Sequence, residues 1–254
     1  MLKKIFLSAL VITYNEADNL PDLLEGLAFA DEIILVDSFS TDNTPEILKK
    51  YPKVTFVSRH FHNFSDQRNF ALGLAKNNWI LFTDADERIP KRLQEEIEHE
   101  LQNPGDTVAF AIRRQFYFED KPLLFSGYQS NKAIRLFHKD YGLYDKNKLV
   151  HEVPIVTGKI KILKNKLDHY SYKDKPSYQK KIDSYARLRA QELFLRGLHP
   201  NAFHFYLKPG YRFFRHFIIR LGFLDGKCGY TMACLEAWGV KKRYQYLKAL
   251  YKSK

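Results

Sequence analysis

Only two cysteines, Cys228 and Cys234, occur in 254 residues. Two are too few for a disulfide framework or a cysteine-based zinc site, and a cytoplasmic compartment is the expectation. No stretch of eighteen apolar residues exists, so no membrane-spanning helix is expected. Lys3-Lys4 before Ile5-Phe6-Leu7 resembles the start of a signal peptide. Thr13-Tyr14-Asn15-Glu16 interrupts that run, no small-residue cleavage site follows, and the segment reads as a first β-strand. Internal repeats, low-complexity linkers and a Gly-rich phosphate loop after the first strand are also absent, and the missing loop argues against a nucleotidyltransferase. Acidic residues are scarce in one region. Residues 159–254 carry 6 Asp/Glu against 22 Lys/Arg, whereas residues 1–158 carry 23 against 19. The net charge of +12 therefore divides into −4 and +16, which points to an anionic partner for the C-terminal third: a membrane surface, a phosphorylated acceptor or a nucleic acid.

What is present is a regular alternation. Ile5–Ile12, Glu32–Val36, Val54–Val57 and Trp79–Phe82 are short and apolar. Leu20–Phe29, Thr44–Lys50, Gln67–Lys76 and Lys91–Leu101 have helical spacing. This order predicts an α/β fold with parallel strands joined by right-handed helical crossovers. Ligands in such sheets bind beyond the carboxyl ends of the strands. The polar clusters Thr13–Glu16, Asp37-Ser38, Arg59-His60 and Asp84-Ala85-Asp86 all fall there. After Asn103-Pro104-Gly105 the pattern changes. Val108–Arg114, Ala133–Phe137 and Leu149–Val153 read as strands of a mixed extension. Tyr178–Arg196, Phe203–Leu221 and Gly229–Tyr251 read as helices, with Gly239 a weak point in the last.

The segment Trp79-Ile80-Leu81-Phe82-Thr83-Asp84-Ala85-Asp86-Glu87 is a buried strand opening onto three carboxylates. Asp84 and Asp86, two residues apart, would share one face of an extended strand. They can converge on a hard divalent cation that also bridges a nucleotide diphosphate. The competing reading is that these acids cap the helix beginning at Pro90.

Val11-Ile12-Thr13-Tyr14-Asn15-Glu16, Ile34-Leu35-Val36-Asp37-Ser38, Ser40-Thr41-Asp42-Asn43-Thr44, Gln67-Arg68-Asn69 and Trp79–Glu87 occur in an order that resembles the inverting glycosyltransferases of family 2, which share the GT-A fold. The details are most similar to the branch that adds sugars to the lipopolysaccharide inner core, including His151-Glu152 and the basic, aromatic tail. The resemblance implies a Rossmann-like, mostly parallel mixed sheet over residues 1–175 and a helical extension over residues 176–254. It implies that Thr13, Tyr14, Asn15, Glu16, Asp37, Arg68 and Asp84 bind a nucleotide sugar. Mg²⁺ or Mn²⁺ would be held by Asp86, with Asp84 and His169 as further ligands. Inversion needs one general base at the acceptor hydroxyl. Glu152 stands where this branch carries its His-Glu pair; it could instead pair with Arg135 or Lys148. Glu87 is a weaker base candidate, better suited to orienting the loop, and Arg68 could either meet a phosphate or pair with Asp84. One departure stands out. The commonest family pattern has Gly where this chain has Phe39, so a turn needing positive φ is expected to be strained or to differ.

Residues 203–220 interleave Phe and Tyr with Arg and Lys. A helix from Pro209 puts Phe213, Phe217 and Leu221 on one stripe with Arg212, Arg215 and Arg220 beside it, the pattern of an interfacial helix on anionic lipid. The resemblance thus predicts transfer of a hexose, glucose from UDP-glucose, to a lipid-anchored saccharide of the lipopolysaccharide core. The enzyme would be peripheral on the inner face of the cytoplasmic membrane, and no nucleic acid partner is expected. Two alternatives stay open: transfer to a polyprenyl phosphate or a protein, and a non-catalytic domain that binds membrane or nucleic acid.

Overall fold

The computed structural model describes residues 6–128, 130–145, 153–172 and 174–252. Contacts divide the chain into two compact units, residues 1–114 with 132–169, and residues 115–131 with 170–254.

The first unit opens as the alternation predicts. Strands β1 (Leu7–Thr13), β2 (Glu32–Asp37), β3 (Val54–Ser58) and β4 (Trp79–Asp84) alternate with helices α1 (Leu20–Leu27), α2 (Thr44–Leu48) and α3 (Phe64–Leu74). A two-residue strand β5 (Glu87–Arg88) and helix α4 (Lys91–Gln102) follow. Then come β6 (Thr107–Phe118), β7 (Lys121–Leu123), β8 (Lys132–His138), β9 (Gly142–Tyr144), β10 (Pro154–Val156) and β11 (Lys159–Tyr172). The main sheet runs β3-β2-β1-β4-β8-β6-β11-β5. Its β3-β2-β1-β4 portion is parallel, and β8 joins β4 antiparallel. The central strands are buried on both faces. Ala9, Val11 and Leu81 pack with Leu23, Leu27 and Leu93 on one side, while Leu10, Ile80 and Phe82 pack with Ala71 on the other. Continuous apolar runs rather than alternating ones follow from that double burial.

Three expectations are corrected. Helix α3 starts at Phe64, three residues before the apolar spacing suggests, because the Asn63 side chain accepts the Asp66 N–H at 2.8 Å and caps it. Strand β6 extends beyond Arg114 to Phe118. The fourteen-residue β11 was not anticipated at all: its polar residues hide an alternation in which Leu163 and Leu167 reach the core. The strand expected at Leu149–Val153 lies outside the described residues except for Val153, which precedes β10.

The second unit is mainly helical: α5 (Lys175–Leu195), α6 (Lys208–Phe214) and α7 (Gly226–Lys252). Helix α6 is continued at each end by a π-helical turn, Phe203–Leu207 before it and Arg215–Ile219 after it. Gly239 does not weaken α7. A Cβ there would lie 2.4 Å from Cγ2 of Ile182 on α5, so the glycine lets two helices approach closely. The expected Phe213/Phe217 stripe is also turned. Both rings pack near Tyr230, at 5.9 and 5.7 Å between centroids. Leu207, Tyr211, Phe214 and Ile218 face solvent instead. Each π turn carries one residue more than an α turn, which rotates the following side chains by about 100°.

Candidate active site

The carboxyl ends of β1, β2 and β4 carry the polar residues singled out by sequence, all within the first unit. Thr13 pairs with Asp37 across the β1–β2 ladder, and both are buried. The Asp37 carboxylate accepts the Ser40 N–H at 2.8 Å and the Ser40 hydroxyl at 2.5 Å. Ser40 Oγ in turn accepts the Asn15 N–H at 2.8 Å, while Asn15 Oδ1 accepts the Thr41 N–H at 2.7 Å. These bonds lace the loops after β1 and β2 together. Glu16 joins them: its N–H donates to Thr44 Oγ1 at 3.1 Å, and its carboxylate accepts from Asn19 at 2.5 Å. Just before α2, Asp42 accepts the Thr44 N–H at 3.0 Å. Tyr14 stays exposed. Phe39 adopts the left-handed backbone at φ +59°, the conformation a glycine would take freely. The turn is kept and the strain accepted; the Phe39 ring lies 4.3 Å from that of His60.

Asp84 ends β4 between two guanidinium groups. Arg68 Nη2 donates to Asp84 Oδ1 at 2.6 Å, and Arg135 Nη2 donates to Asp84 Oδ2. Arg135 also donates to Glu87 Oε1 at 2.6 Å, and Glu87 Oε2 accepts the Asp84 N–H at 3.1 Å. Glu87 is fully buried, with Arg114 at 3.8 Å. Two acids are thus surrounded by three arginines. Burial alone would raise the Asp84 pKa, but Arg135 and then Arg68 outweigh it and hold the carboxyl well below the usual carboxylate range. Arg68 lies over the rings of Phe82 and Tyr144, 5.5 Å from each centroid, which shields the pair from water.

Asp86 follows in the turn between β4 and β5. Its Oδ2 lies 3.2 Å from Nε2 of His169 on β11. The antiparallel ladder of β11 and β5 sets this distance by placing His169 opposite Glu87. Arg88 closes the same turn, donating to the Ala85 carbonyl at 2.9 Å and to Asn19 at 3.2 Å. Among the described residues no three Asp, Glu, His or Cys side chains converge on one point. A Mg²⁺-type ion needs only one or two protein groups when substrate phosphates complete its shell. The Asp86–His169 pair fits such an ion; Asp84 has both oxygens on arginines.

Sequence reasoning singled out Asp86 and His169, but not the strand pairing that joins them. It missed Arg135 as a member of the cluster and Arg114 altogether. The signal for Arg135 was legible: a lone cation inside Ala133-Ile134-Arg135-Leu136-Phe137 must be buried and therefore paired. Its partners are Asp84 and Glu87. Glu152 and His151 lie outside the described residues.

Comparison with known proteins agrees with this geometry. The profile of "Glycosyl transferase family 2" matches residues 8–170. A protein of Rickettsia bellii called an uncharacterized glycosyltransferase is 30% identical over 98% of this chain and 88% of its own length. The lipopolysaccharide core biosynthesis glycosyltransferase LpsC of Rhizobium meliloti is 27% identical over 96% of this chain and 95% of its own. Among solved structures, the mannosyltransferase PcManGT from Pyrobaculum calidifontis, in complex with GDP-Man and Mn²⁺, is similar with a TM-score of 0.50 at 16% identity. That similarity covers 98% of this chain and 75% of the other, and it is a likeness of fold. The parallel β3-β2-β1-β4 sheet with acids at its carboxyl end is the GT-A arrangement. With a family profile spanning most of the chain and relatives aligned nearly end to end, this chain belongs to glycosyl transferase family 2.

Proposed function

We propose that this enzyme transfers a hexose, glucose from UDP-glucose, to a saccharide of the lipopolysaccharide core, with inversion and with Mg²⁺ or Mn²⁺ bound. The observation that carries the reading is the Asp86–His169 pair at 3.2 Å beside the arginine-held Asp84, at the end of a sheet that leaves its ligand face at the strand termini. Thr13, Tyr14, Asn15, Glu16 and Asp37 would line the nucleotide slot. The laced loops after β1 and β2 fix its walls before ligand arrives, which lowers the ordering cost of binding.

Asp86 and His169 would hold the cation, which neutralises charge developing on the departing diphosphate. Asp84 would contact the donor's ribose, and the arginines keep it ionised at all working pH values. Arg68 and Arg135 act through Asp84 and Glu87: they orient the β4–β5 turn and so aim Asp86. Glu152, by family resemblance, takes the acceptor proton as the bond to the anomeric carbon forms.

The lipopolysaccharide acceptor rests on the similarity to LpsC over nearly the whole chain. A membrane-borne acceptor also suits the second unit. Leu207, Tyr211, Phe214 and Ile218 expose a row of apolar and aromatic side chains, and residues 170–254 carry 18 Lys/Arg against 5 Asp/Glu. No helix among the described residues is long and apolar enough to cross a membrane, so this would be interfacial contact.

The test is donor binding and hydrolysis across UDP-, GDP-, ADP- and dTDP-sugars with Mn²⁺, Mg²⁺ or EDTA, on the wild type and Asp86→Ala. Metal-dependent use of UDP-glucose, reduced at least about a hundredfold in the variant, is expected. Response to another nucleotide sugar would replace the donor, and equal activity in EDTA would remove the metal.

A further inference from the structure

The second unit contains a buried histidine. His216, only 3% exposed, makes no hydrogen bond through either ring nitrogen among the described residues. A buried imidazole without a hydrogen bond is costly, since each unpaired polar group forfeits roughly 1–3 kcal/mol. Such a group requires an explanation in what it awaits.

Its surroundings are cationic. Arg212, Arg215 and Arg220 come from its own helical stretch and its end, and all three act on it electrostatically. The carboxylate facing them is Glu236 on α7, and it is already occupied. Arg212 donates to it at 2.6 and 3.0 Å, and the Tyr178 hydroxyl from α5 donates at 2.8 Å. Among the described residues, Arg215 and Arg220 have no carboxylate partner. The next acid along, Asp225, is committed to the backbone N–H groups of Leu124 and Phe125 and to the Ser126 hydroxyl. The aromatic neighbour is Tyr128, 6.5 Å from the imidazole between centroids. Three guanidinium groups thus face one satisfied carboxylate, which leaves an excess of two positive charges around a neutral histidine.

The backbone is specialised at the same place. His216 lies in the π turn Arg215–Ile219, closed by the Arg220 N–H on the Arg215 carbonyl at 2.9 Å. Ser126 and Leu221 both adopt left-handed φ, +61° and +58°, and Ser126 N–H bonds the Arg220 carbonyl at 2.8 Å. Arg220 lies across Gly127, where a Cβ would come within 2.4 Å of its Nη1. A side chain at 127 would have to displace Arg220, and the φ of +87° there favours glycine in any case.

We propose that His216, Arg215 and Arg220 form an anion site for a phosphate group within the second unit. A phosphate would pair with the two uncommitted guanidinium groups, and the imidazole would become its donor on taking up a proton. In its absence burial depresses the His216 pKa to about 4, opposed first by Glu236 and assisted by Arg212, Arg220 and Arg215. An anion favours the protonated ring, so affinity rises as pH falls below 7. The limit for one coupled proton is about tenfold per pH unit. The inference goes beyond the transferase reading and does not depend on its donor or metal.

The test uses the full chain and sulfate, whose charge is constant from pH 5 to 8, followed by calorimetry and the His216 imidazole proton resonance. Wild type is expected to bind sulfate, to shift that resonance, and to tighten several-fold between pH 7 and pH 5. Arg215→Gln with Arg220→Gln should weaken binding tenfold or more, and His216→Gln should remove the pH dependence. If the double variant fails to fold, Arg215→Gln alone should still weaken binding at least threefold. Phosphatidylglycerol against phosphatidylcholine vesicles and a soluble sugar phosphate then name the source. Arginine-dependent vesicle binding assigns the phosphate to a lipid, and arginine-dependent binding of the soluble ester alone assigns it to a free ligand. No sulfate binding, or binding within twofold of wild type in both arginine variants, overturns the proposal. A normal UDP-glucose response in those same samples would leave the transferase reading standing.

Discussion

The two units treat buried charge in opposite ways. In the first, every member of the central cluster has a partner: Asp84 lies between Arg68 and Arg135, and Glu87 lies against Arg135 and the Asp84 backbone. In the second, among the described residues, His216 is buried with neither ring nitrogen bonded and two neighbouring arginines lack carboxylates. Paired charges fix geometry, which a catalytic turn needs before substrate arrives, even though Arg68 Nε and Nη1 and Arg135 Nε make no hydrogen bond among the described residues. Unpaired ones hold interaction energy in reserve for something that binds. The contrast continues at the surface, where the second unit exposes Leu207, Tyr211, Phe214 and Ile218.

The sharpest way to break this comparison is to unbalance the satisfied side. Arg135→Met strands two acids in a buried site and should cost about 3–5 kcal/mol in urea denaturation. A change under 1 kcal/mol would mean that the cluster is solvated and does not fix the turn. On the surface of the second unit, Phe214→Ser with Ile218→Ser should reduce binding to phosphatidylglycerol vesicles at least tenfold and leave stability within about 1 kcal/mol. Equal vesicle binding would show that the exposed row does not enter lipid. Gly239→Ala tests packing alone. The new Cβ would meet Ile182, and a loss of about 1–3 kcal/mol with unchanged helix content is expected.

The pH dependence separates the units further. His216 has a folded pKa of about 4, below its unfolded value near 6.5, so its neutral form favours folding above pH 6.5 and that contribution is lost as pH falls toward 4. His216→Gln should therefore flatten the decline in stability between pH 6.5 and 4, measured by thermal denaturation in an anion-poor buffer. Asp84 has its pKa depressed, so its contribution is present above about pH 4 and is lost only in stronger acid. The smallest effect belongs to Phe39→Gly, which relieves a left-handed backbone and should stabilise by under about 1 kcal/mol, partly offset by glycine's entropy in the unfolded chain.

Much of the first unit was legible because its signals are local. Apolar runs such as Glu32–Val36, punctuated by Asp37 or Asp84, announce a strand and its ligand-facing end within six residues. Asp86 and His169 could each be picked out as candidates, yet their meeting depends on an antiparallel pairing between segments 83 residues apart, which no local pattern encodes. Arg135 was weighed only as a possible partner of Glu152, although its isolation among Ala133, Ile134, Leu136 and Phe137 already demanded buried acids. The C-terminal helices were recognised, but the side facing solvent was not, because the π turns shift phase without any mark in the sequence. Phe39 shows the converse. The sequence marked the strain, and the fold kept the turn regardless.

The central claim is that Asp86 and His169, rather than Asp84, grip the cation that meets the donor's diphosphate. Titrating Mn²⁺ in the presence of UDP, by calorimetry and by Mn²⁺ paramagnetic resonance, tests it directly on wild type, Asp86→Ala and His169→Ala. The account predicts one ion bound per chain and a loss of at least tenfold in affinity in each variant. Wild-type Mn²⁺ affinity in both variants would contradict it.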